Sequence, residues 1–286
     1  MAGRPGGQEG PADPVLDRAF ALLNSFDPGN RTLSLSELAR RADLPVSTAL
    51  RLIRRLVTLG ALERRGTKYV IGVRLWEIAS LSRSLGLRDV AMPVMGDLAA
   101  ATQQHVLLVV LDGTEAVLLE RLSGRAAVPV LYRVGGRMPL HSTASGLVLL
   151  AHMDPERQEE ILQRPLMHVP EQVRVDATAL RRTLADVRRN GVITLRRGAP
   201  APLVAVAAPV RGESDAVIAS LSVVMRAGSF DPARVGPAVV AGARAISRGL
   251  GSPGATVLPD PATDGSPPVA GPAVTNVGSI ALTSTT

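Results

Sequence analysis

The chain has 286 residues, a net charge of +7 and no cysteine; at about 100–200 residues per domain this predicts two domains, and it excludes disulfide frameworks, thiolate metal sites and cysteine nucleophiles. Hydrophobic residues at 46% suffice for ordinary cores, and aromatic residues at 2% argue against a single-strand binder built on base stacking. No run of 18 or more apolar residues occurs, and the stretch from Met1 to Asp13 lacks the apolar segment of a signal peptide, so a soluble, cytoplasmic protein is expected.

Residues 1–12 are polar and Gly/Pro-rich and are expected to be disordered. Asp13-Pro14 can open a helix, with Asp as N-cap and Pro at the first helical position. Val15, Leu16, Ala19, Phe20, Leu22, Leu23 and Phe26 follow at helical spacing. Asp27-Pro28-Gly29-Asn30 ends that helix. Ser34-Leu35-Ser36-Glu37 reads as a capping box that opens a short second helix, with Leu38 and Ala39 inward. Asp43-Leu44-Pro45 breaks it, and a third helix is expected from Val46 to Leu59, stopped by Gly60.

The third helix has two faces. Val46, Leu50, Ile53 and Val57 recur at i, i+4, i+7 and i+11 with Ala49 and Leu56 beside them; Ser47, Thr48, Arg51, Arg54, Arg55 and Thr58 fall on the other side. Leu62-Glu63-Arg64 and Tyr69-Val70-Ile71 then read as strands around the basic tip Arg65-Gly66-Thr67-Lys68. Three helices, the second pair joined by a tight turn, and a basic hairpin make a winged helix-turn-helix over residues 13–73. Nine basic against three acidic residues between Arg31 and Lys68 place +6 of the net charge there, the footprint of a polyanion partner. In the major groove, Ser47, Thr48 and Arg51 would meet base edges and Arg54 and Arg55 phosphates. Arg64, Arg65 and Lys68 on the hairpin would reach the flanking backbone or minor groove. Some winged helices serve protein contacts instead; the basic exposed face favours double-stranded DNA.

From Arg74 to Leu87 a helical pattern (Leu75, Trp76, Ile78, Ala79, Leu81, Leu85) predicts a linker helix within residues 74–92, whose apolar stripe would pair with a second copy if the winged domain leaves it uncovered. Past Pro93 a mixed pattern begins. A helix is expected over Val94–Thr102, and strands over His105–Leu111 and Glu115–Leu122, joined at Asp112-Gly113. Another strand is expected over Val128–Val134. A loop from Gly135 to Leu140 leads to a helix over His141–His152. Helices over Pro155–Gln163 and Asp176–Asn190 precede strands at Val192–Leu195, Leu203–Val210 and Ala216–Val224, and a helix over Asp231–Leu250 closes the domain. Strands joined by hairpins rather than by regular βαβ alternation indicate an antiparallel α+β domain over residues 93–250. Residues 251–286 lack a period and are expected to form a disordered tail.

The chain resembles the IclR-type transcriptional regulators from about Val15 to Leu250. The resemblance rests on Leu33-Ser34-Leu35-Ser36-Glu37-Leu38-Ala39 with Leu44-Pro45-Val46-Ser47-Thr48-Ala49-Leu50-Arg51-Leu52, on Met138-Pro139-Leu140-His141-Ser142-Thr143-Ala144-Ser145-Gly146, and on Val206-Ala207-Ala208-Pro209-Val210 with Ala219-Ser220-Leu221-Ser222-Val223. It implies an N-terminal winged helix-turn-helix, a linker helix and a GAF-like effector domain. It also implies homodimers, often paired into tetramers, that answer a metabolite by changing operator binding. Carried over, the effector site falls on Ala144 and Ser145, whose N–H groups open a helix, and on Ser220 and Ser222, which share one face of a strand. Ala205 stands where members often have a cysteine. Leu195, Arg196, Arg197 and Gly198 stand where members often have acidic residues.

That departure leaves two readings open. Arg196 or Arg197 pointing into the pocket would favour an organic acid or aromatic acid through a bidentate contact; arginines facing solvent would be ordinary loop residues. None of His105, His141, His152 and His168 lies in a metal-ligand spacing, and His141-Ser142 has no nucleophile elbow with it. No enzyme and no cofactor are implied. The expected function is ligand-modulated transcriptional regulation; the alternative is a winged-helix interaction protein whose second domain binds no effector.

Overall fold

The computed structural model describes residues 14–130, 132–168, 173–198, 202–256 and 274–276. The chain divides into two compact units, Met1–Leu85 and Gly86–Thr286. The expected disordered start and the Asp13 cap lie outside the described residues, as do most of residues 251–286.

In the first unit α1 (Pro14–Leu23), β1 (Leu33–Ser34), α2 (Leu35–Arg41), α3 (Val46–Thr58), β2 (Leu62–Arg65), β3 (Lys68–Ile71) and α4 (Val73–Ala79) follow in order. The capping box forms: Glu37 N–H donates to Ser34 Oγ at 3.3 Å, and Ser34 N–H donates to Glu37 Oε2 at 2.8 Å. Gly60, with φ +73, follows the end of α3 in a backbone region that other residues enter only with strain. Strands pair in the order β1-β3-β2, so the hairpin forms a wing on the three helices. Leu22, Leu38, Ala49, Leu52, Ile53, Leu56, Leu62 and Tyr69 build the core. The inward face of α3 therefore centres on Ala49, Leu52, Ile53 and Leu56, and Val46, expected inside, is 52% exposed. The core face is rotated toward Leu52, which joins Leu62 and Tyr69 of the hairpin in one cluster.

The turn after α1 is tied to α2 by one carboxylate. Arg41 Nη1 donates to Asp27 Oδ2 and to Ser25 O, both at 2.8 Å; Asn30 Nδ2 donates to both Asp27 oxygens at 3.0 Å, and Gly29 N–H to Oδ1 at 2.9 Å. Chiefly through Arg41, and next Asn30, the Asp27 carboxyl is lowered from 3.8 to about 2. A lowered acid contributes stability that is present above its unfolded value and lost as pH falls through the folded one. Hydrogen exchange of the α1–α2 segment is expected to speed up between pH 4 and 2. Asp27→Asn should speed it at neutral pH and flatten that acid limb; an acid limb unchanged in the variant would assign the effect to another group.

In the second unit the sequence pattern predicts two helices around Pro93, and the structure corrects this. One helix, α5 (Arg83–Thr102), runs through Pro93, while the expected helix over Arg74–Leu87 is interrupted after Ala79. An internal proline costs about 3 kcal/mol. Leu87, Ala91, Met95 and Leu98 continue one buried stripe across it, and burying three large side chains at about 1.5–3 kcal/mol each outweighs that cost.

After α5 come β4 (His105–Asp112), β5 (Glu115–Ser123), β6 (Arg137–Met138), α6 (Ala144–Ala151), α7 (Pro155–Leu162), β7 (Met167–His168), β8 (Val173–Arg174) and α8 (Ala177–Asn190). They are followed by β9 (Ile193–Arg197), β10 (Leu203–Arg211), β11 (Val217–Arg226), α9 (Pro232–Gly249), α10 (Pro253–Thr256) and β12 (Val274–Asn276). The main sheet has the order β12-β9-β10-β11-β4-β5-β6 and is antiparallel except for β12 against β9. Alternation sorts its residues. Val204, Val206, Ala208, Leu221, Val223 and Met225 face α5 and α9, whereas Leu107, Val109, Ala207, Ile193 and Leu195 face α6 and α8. The unit is an α+β domain with a central antiparallel sheet between helices.

Two further expectations are corrected. Residues 128–134 form no strand among the described residues. Pro129 cannot donate to a ladder; side chains fix the segment instead, through His105 Nε2 to Val128 O and Arg121 Nη1 to Tyr132 O at 3.0 Å. Residues 253–256 and 274–276, within the expected disordered tail, form α10 and β12. β12 adds to the edge of β9 through residues 194–196, where unpaired backbone groups accept any short extended segment.

Candidate functional site

Two sites emerge, one in each unit. On α3, Ser47, Arg51, Arg54, Arg55 and Thr58 fall at i, i+4, i+7, i+8 and i+11, all exposed, with Thr48 half-buried beside them. Among the described residues, Arg51, Arg54 and Arg55 have no carboxylate partner. Their charges are therefore spent on nothing within the unit, while Arg41 is engaged with Asp27 and Arg74 with Glu77 at 2.7 Å. On the wing, Arg64, Arg65 and Lys68 are exposed. Arg64 Nε donates to Gly66 O at 2.9 Å, which shapes the tip, and Arg65 lies 3.4 Å from Glu63, a solvent-exposed pair of small energetic weight. The unit thus presents a helix of major-groove width with three free guanidinium groups, and a cationic wing.

The second site is a cavity of about 460 Å³ in the second unit, within the range of small-molecule sites. Its walls come from β4 (Leu107), the segment Val128–Val130 with Tyr132, β6 (Met138), the start of α6 (Ser142 to Ser145), β9 (Leu195, Arg197), β10 (Leu203, Ala205) and β11 (Ser222, Val224, Arg226). Thr143 caps α6: its Oγ1 accepts from Gly146 N–H at 3.1 Å and donates to Pro139 O at 3.0 Å. The N–H groups of Ala144 and Ser145, in the first turn, have no intrahelical acceptor and lie at the positive end of the helix. Deep in the wall, Ser145 Oγ donates to Ser222 Oγ at 2.9 Å. Ser142, 2% exposed, has no hydrogen-bond partner for its Oγ among the described residues.

Charge gathers at the opposite end. Leu203 of β10 pairs with Arg197 of β9 on one side and with Arg226 of β11 on the other. The two arginines therefore share one row, two strand spacings or about 10 Å apart at Cα, on the pocket face of the sheet. Arg226 is exposed and Arg197 half-buried.

Of the residues singled out for a ligand, Ala144, Ser145, Ala205 and Ser222 line this cavity; Arg196 and Ser220 do not. Arg196 alternates to the other face, with its guanidinium 5.4 Å from the Phe230 ring centroid. Ser220 shares the face of Ser222 but is fully buried, donating to Ala208 O at 3.4 Å. Of the two candidate arginines Arg197 lines the cavity, and Ser142 and Arg226, not singled out, join it. Ending the strand at Val224 hid Arg226, although the i, i+2, i+4 series Ser222, Val224, Arg226 carries it onto the same face. Among the described residues no group of three or more His, Cys, Asp or Glu is placed to hold a metal ion, and no helix is long and apolar enough to cross a membrane.

Comparison with known proteins matches both units. Residues 79–248 match the family described as bacterial transcriptional regulator IclR C-terminal, and residues 15–66 the IclR helix-turn-helix domain. The HTH-type transcriptional regulator Rv1719 of Mycobacterium tuberculosis is 30% identical over 207 residues, 72% of this chain and 80% of that protein. XynR of Escherichia coli is 28% identical over 251 residues, 83% of this chain and 97% of that protein. Among solved structures, an IclR homolog from Microbacterium hydrocarbonoxydans complexed with 4-hydroxybenzoate is 38% identical with a TM-score of 0.74, covering 82% of this chain and 98% of that one.

Proposed function

The chain belongs to the IclR family of transcriptional regulators, with a DNA-binding helix-turn-helix and an effector-binding C-terminal domain, and we propose that its effector is an aromatic acid held in the cavity of the second unit. The observation that carries this reading is the row Arg197–Leu203–Arg226 in a cavity whose other walls are mainly apolar, with serines and Thr143 at the start of α6 and on β11. Apolar walls bind a ring, and a guanidinium pair binds a carboxylate through charge-assisted hydrogen bonds. A relative at 38% identity was solved with 4-hydroxybenzoate, a ligand of that chemistry. The DNA contacts fall to Ser47, Thr48, Arg51, Arg54, Arg55, Arg64, Arg65 and Lys68. A homodimer belongs to the same proposal: among the described residues none on α4 is buried, and Trp76 and Leu81 nearby are 64% and 87% exposed, an apolar surface that a second copy would cover.

Calorimetric titration of the purified protein with a panel of aliphatic and aromatic acids tests the effector reading. Aromatic acids are expected to bind, and Arg197→Ala and Arg226→Ala to weaken each by about tenfold, the value of one charge-assisted contact near solvent. Arginine variants that leave the affinity of an acidic ligand unchanged would end this reading.

A further inference from the structure

Resting on the acid-binding role proposed above for the Arg197–Arg226 row, we infer that the C-terminal segment of this chain is a strap on the cavity. By adding β12 to the edge of β9 it holds the Arg197 side of the cavity in place, so that docking of the segment and occupation of the cavity favour each other. The first ground is where β12 lies. β9 is bonded to β10 along one side and to β12 along the other; without β12 it would be the edge strand of the main sheet. Leu195 and Arg197 of β9 line the cavity. Ile193 and Leu195 are gripped by the core against α6 and α8, but Arg197 is half-buried beyond it. The register of β12, Val274↔Thr194 to Asn276↔Arg196, ends one residue short of Arg197. Backbone pairing therefore restrains this end of β9 from two sides, through Leu203 and through β12. An edge strand with one neighbour opens more readily than an inner strand with two.

The second ground is that the chain itself can supply this strand. The match to the IclR C-terminal domain ends at residue 248, and a clip follows it. Ser252 Oγ donates to Asp215 Oδ1 at 2.6 Å and accepts from Ala255 N–H at 3.3 Å, which fixes α10 beside the turn between β10 and β11. That turn is roughly 25 Å from residues 194–196, along and across the sheet. Residues 257–273 span up to about 55 Å when extended, so one chain reaches its own β9. Tethering raises the effective concentration of the second docking element, and a three-residue strand can then pair where a free peptide of that length would not. Val274 and Thr275 are β-branched, and from Val274 to Thr286 there is neither a charged side chain nor a proline, the usual devices against edge pairing. Coupling follows from reciprocity. A carboxylate on Arg197 orders the strand that β12 also orders, so each event lowers the entropy that the other must remove.

The full-length double variant Thr275→Pro with Asn276→Pro tests this, since neither residue then has an N–H to pair with and no residue of the cavity is altered. Amide hydrogen exchange of the ligand-free protein is the first measurement. In the variant, the amides of residues 194–197 and of Leu203 are expected to exchange about fivefold faster, with those of β4 unchanged. Calorimetric titration with 4-hydroxybenzoate is the second. The variant is expected to bind about fivefold more weakly, the lower end of coupling between sites, and saturating ligand should slow exchange at residues 274–276 of the wild-type chain. Exchange of β9 unaltered by the two prolines overturns the inference. So does faster exchange confined to residues 194–196, or unchanged affinity in a variant whose β9 exchanges faster. Protection of β9 that falls on dilution also overturns it, because the strand then comes from a second copy. Failure of the wild-type chain to bind any aromatic acid strikes the arginine reading instead, and exchange at Arg197 and Leu203, which needs no ligand, still decides whether the strap holds the row.

Discussion

Replacing Arg51, Arg54 and Arg55 together with alanine is expected to lower affinity for promoter DNA on the order of 10²–10³-fold per winged domain at near-physiological salt, and to make the slope of log K against log salt shallower by about 1.8 for the phosphate contacts of Arg54 and Arg55, or about 2.7 where Arg51 meets a phosphate too. The magnitude follows from counterion release, about 0.9 in slope for each phosphate neutralised. The three guanidinium groups are exposed and have no carboxylate partner among the described residues, so their removal costs the fold nothing that an ion pair held. Alanine is also at least as good a helix former as arginine. Fluorescence anisotropy over a salt series checks both numbers. Arg51→Ala alone separates roles: loss of preference for the promoter over random DNA marks a base contact, worth about 1–3 kcal/mol, whereas a uniform loss marks a phosphate contact. A triple variant with unaltered slope would remove this face of α3 from the DNA interface.

Gly146→Ala is expected to destabilise the second unit by about 3 kcal/mol and to abolish ligand binding, while leaving the first unit folded. A Cβ at Gly146 would lie 2.5 Å from Leu140 O and 2.6 Å from both Leu140 Cα and Thr143 Oγ1. Backbone cannot yield as a flexible side chain does, so the loop 139–143 must shift, at the upper end of the usual overpacking cost. That loop carries Ser142 and the Thr143 cap, and its displacement takes the wall of the cavity with it. Gly96→Ala in α5 is the matched control. Nothing lies within 4 Å of its added methyl, so the substitution should stabilise by up to about 1 kcal/mol through helix propensity. Thermal unfolding of the two variants measures the contrast. Equal melting temperatures would mean that the α6 entry loop relaxes freely and that its packing is not what holds the cavity in shape.

The first unit was largely legible in the chain because its signals are local. The Ser34–Glu37 capping box, the stop at Gly60 and the basic tip around Gly66 each act over fewer than five residues, and each appears in the structure. The inward face of α3 was drawn slightly off. Val46 and Leu50 fit the helical period as well as Leu52 does, and only the packing partners distinguish them. In the second unit, alternation along β11 placed Ser220 and Ser222 on one face, but depth separates them: Ser222 reaches the cavity and Ser220 stays beneath. Neighbouring arginines 196 and 197 could not be told apart until the start of β9 fixed which residue faces inward, since a strand offset of one exchanges the faces.

Sequence alone determined the two-part architecture and the basic winged helix, through charge density, residue period and short-range capping, all properties of contiguous residues; the family and the loop-to-helix stretch of the pocket came from the resemblance of its motifs. Tertiary structure decided what depends on residues far apart in the chain meeting across a sheet. It aligned Arg197 with Arg226 through Leu203, left the Ser142 hydroxyl without a partner among the described residues, and made residues 128–130 and Tyr132, expected in a strand, part of the cavity wall. The no-cysteine composition that first excluded thiol chemistry leaves Ala205 in the cavity wall. Arginine becomes a chemical feature of the cavity only where three strands bring Arg197 and Arg226 into one row.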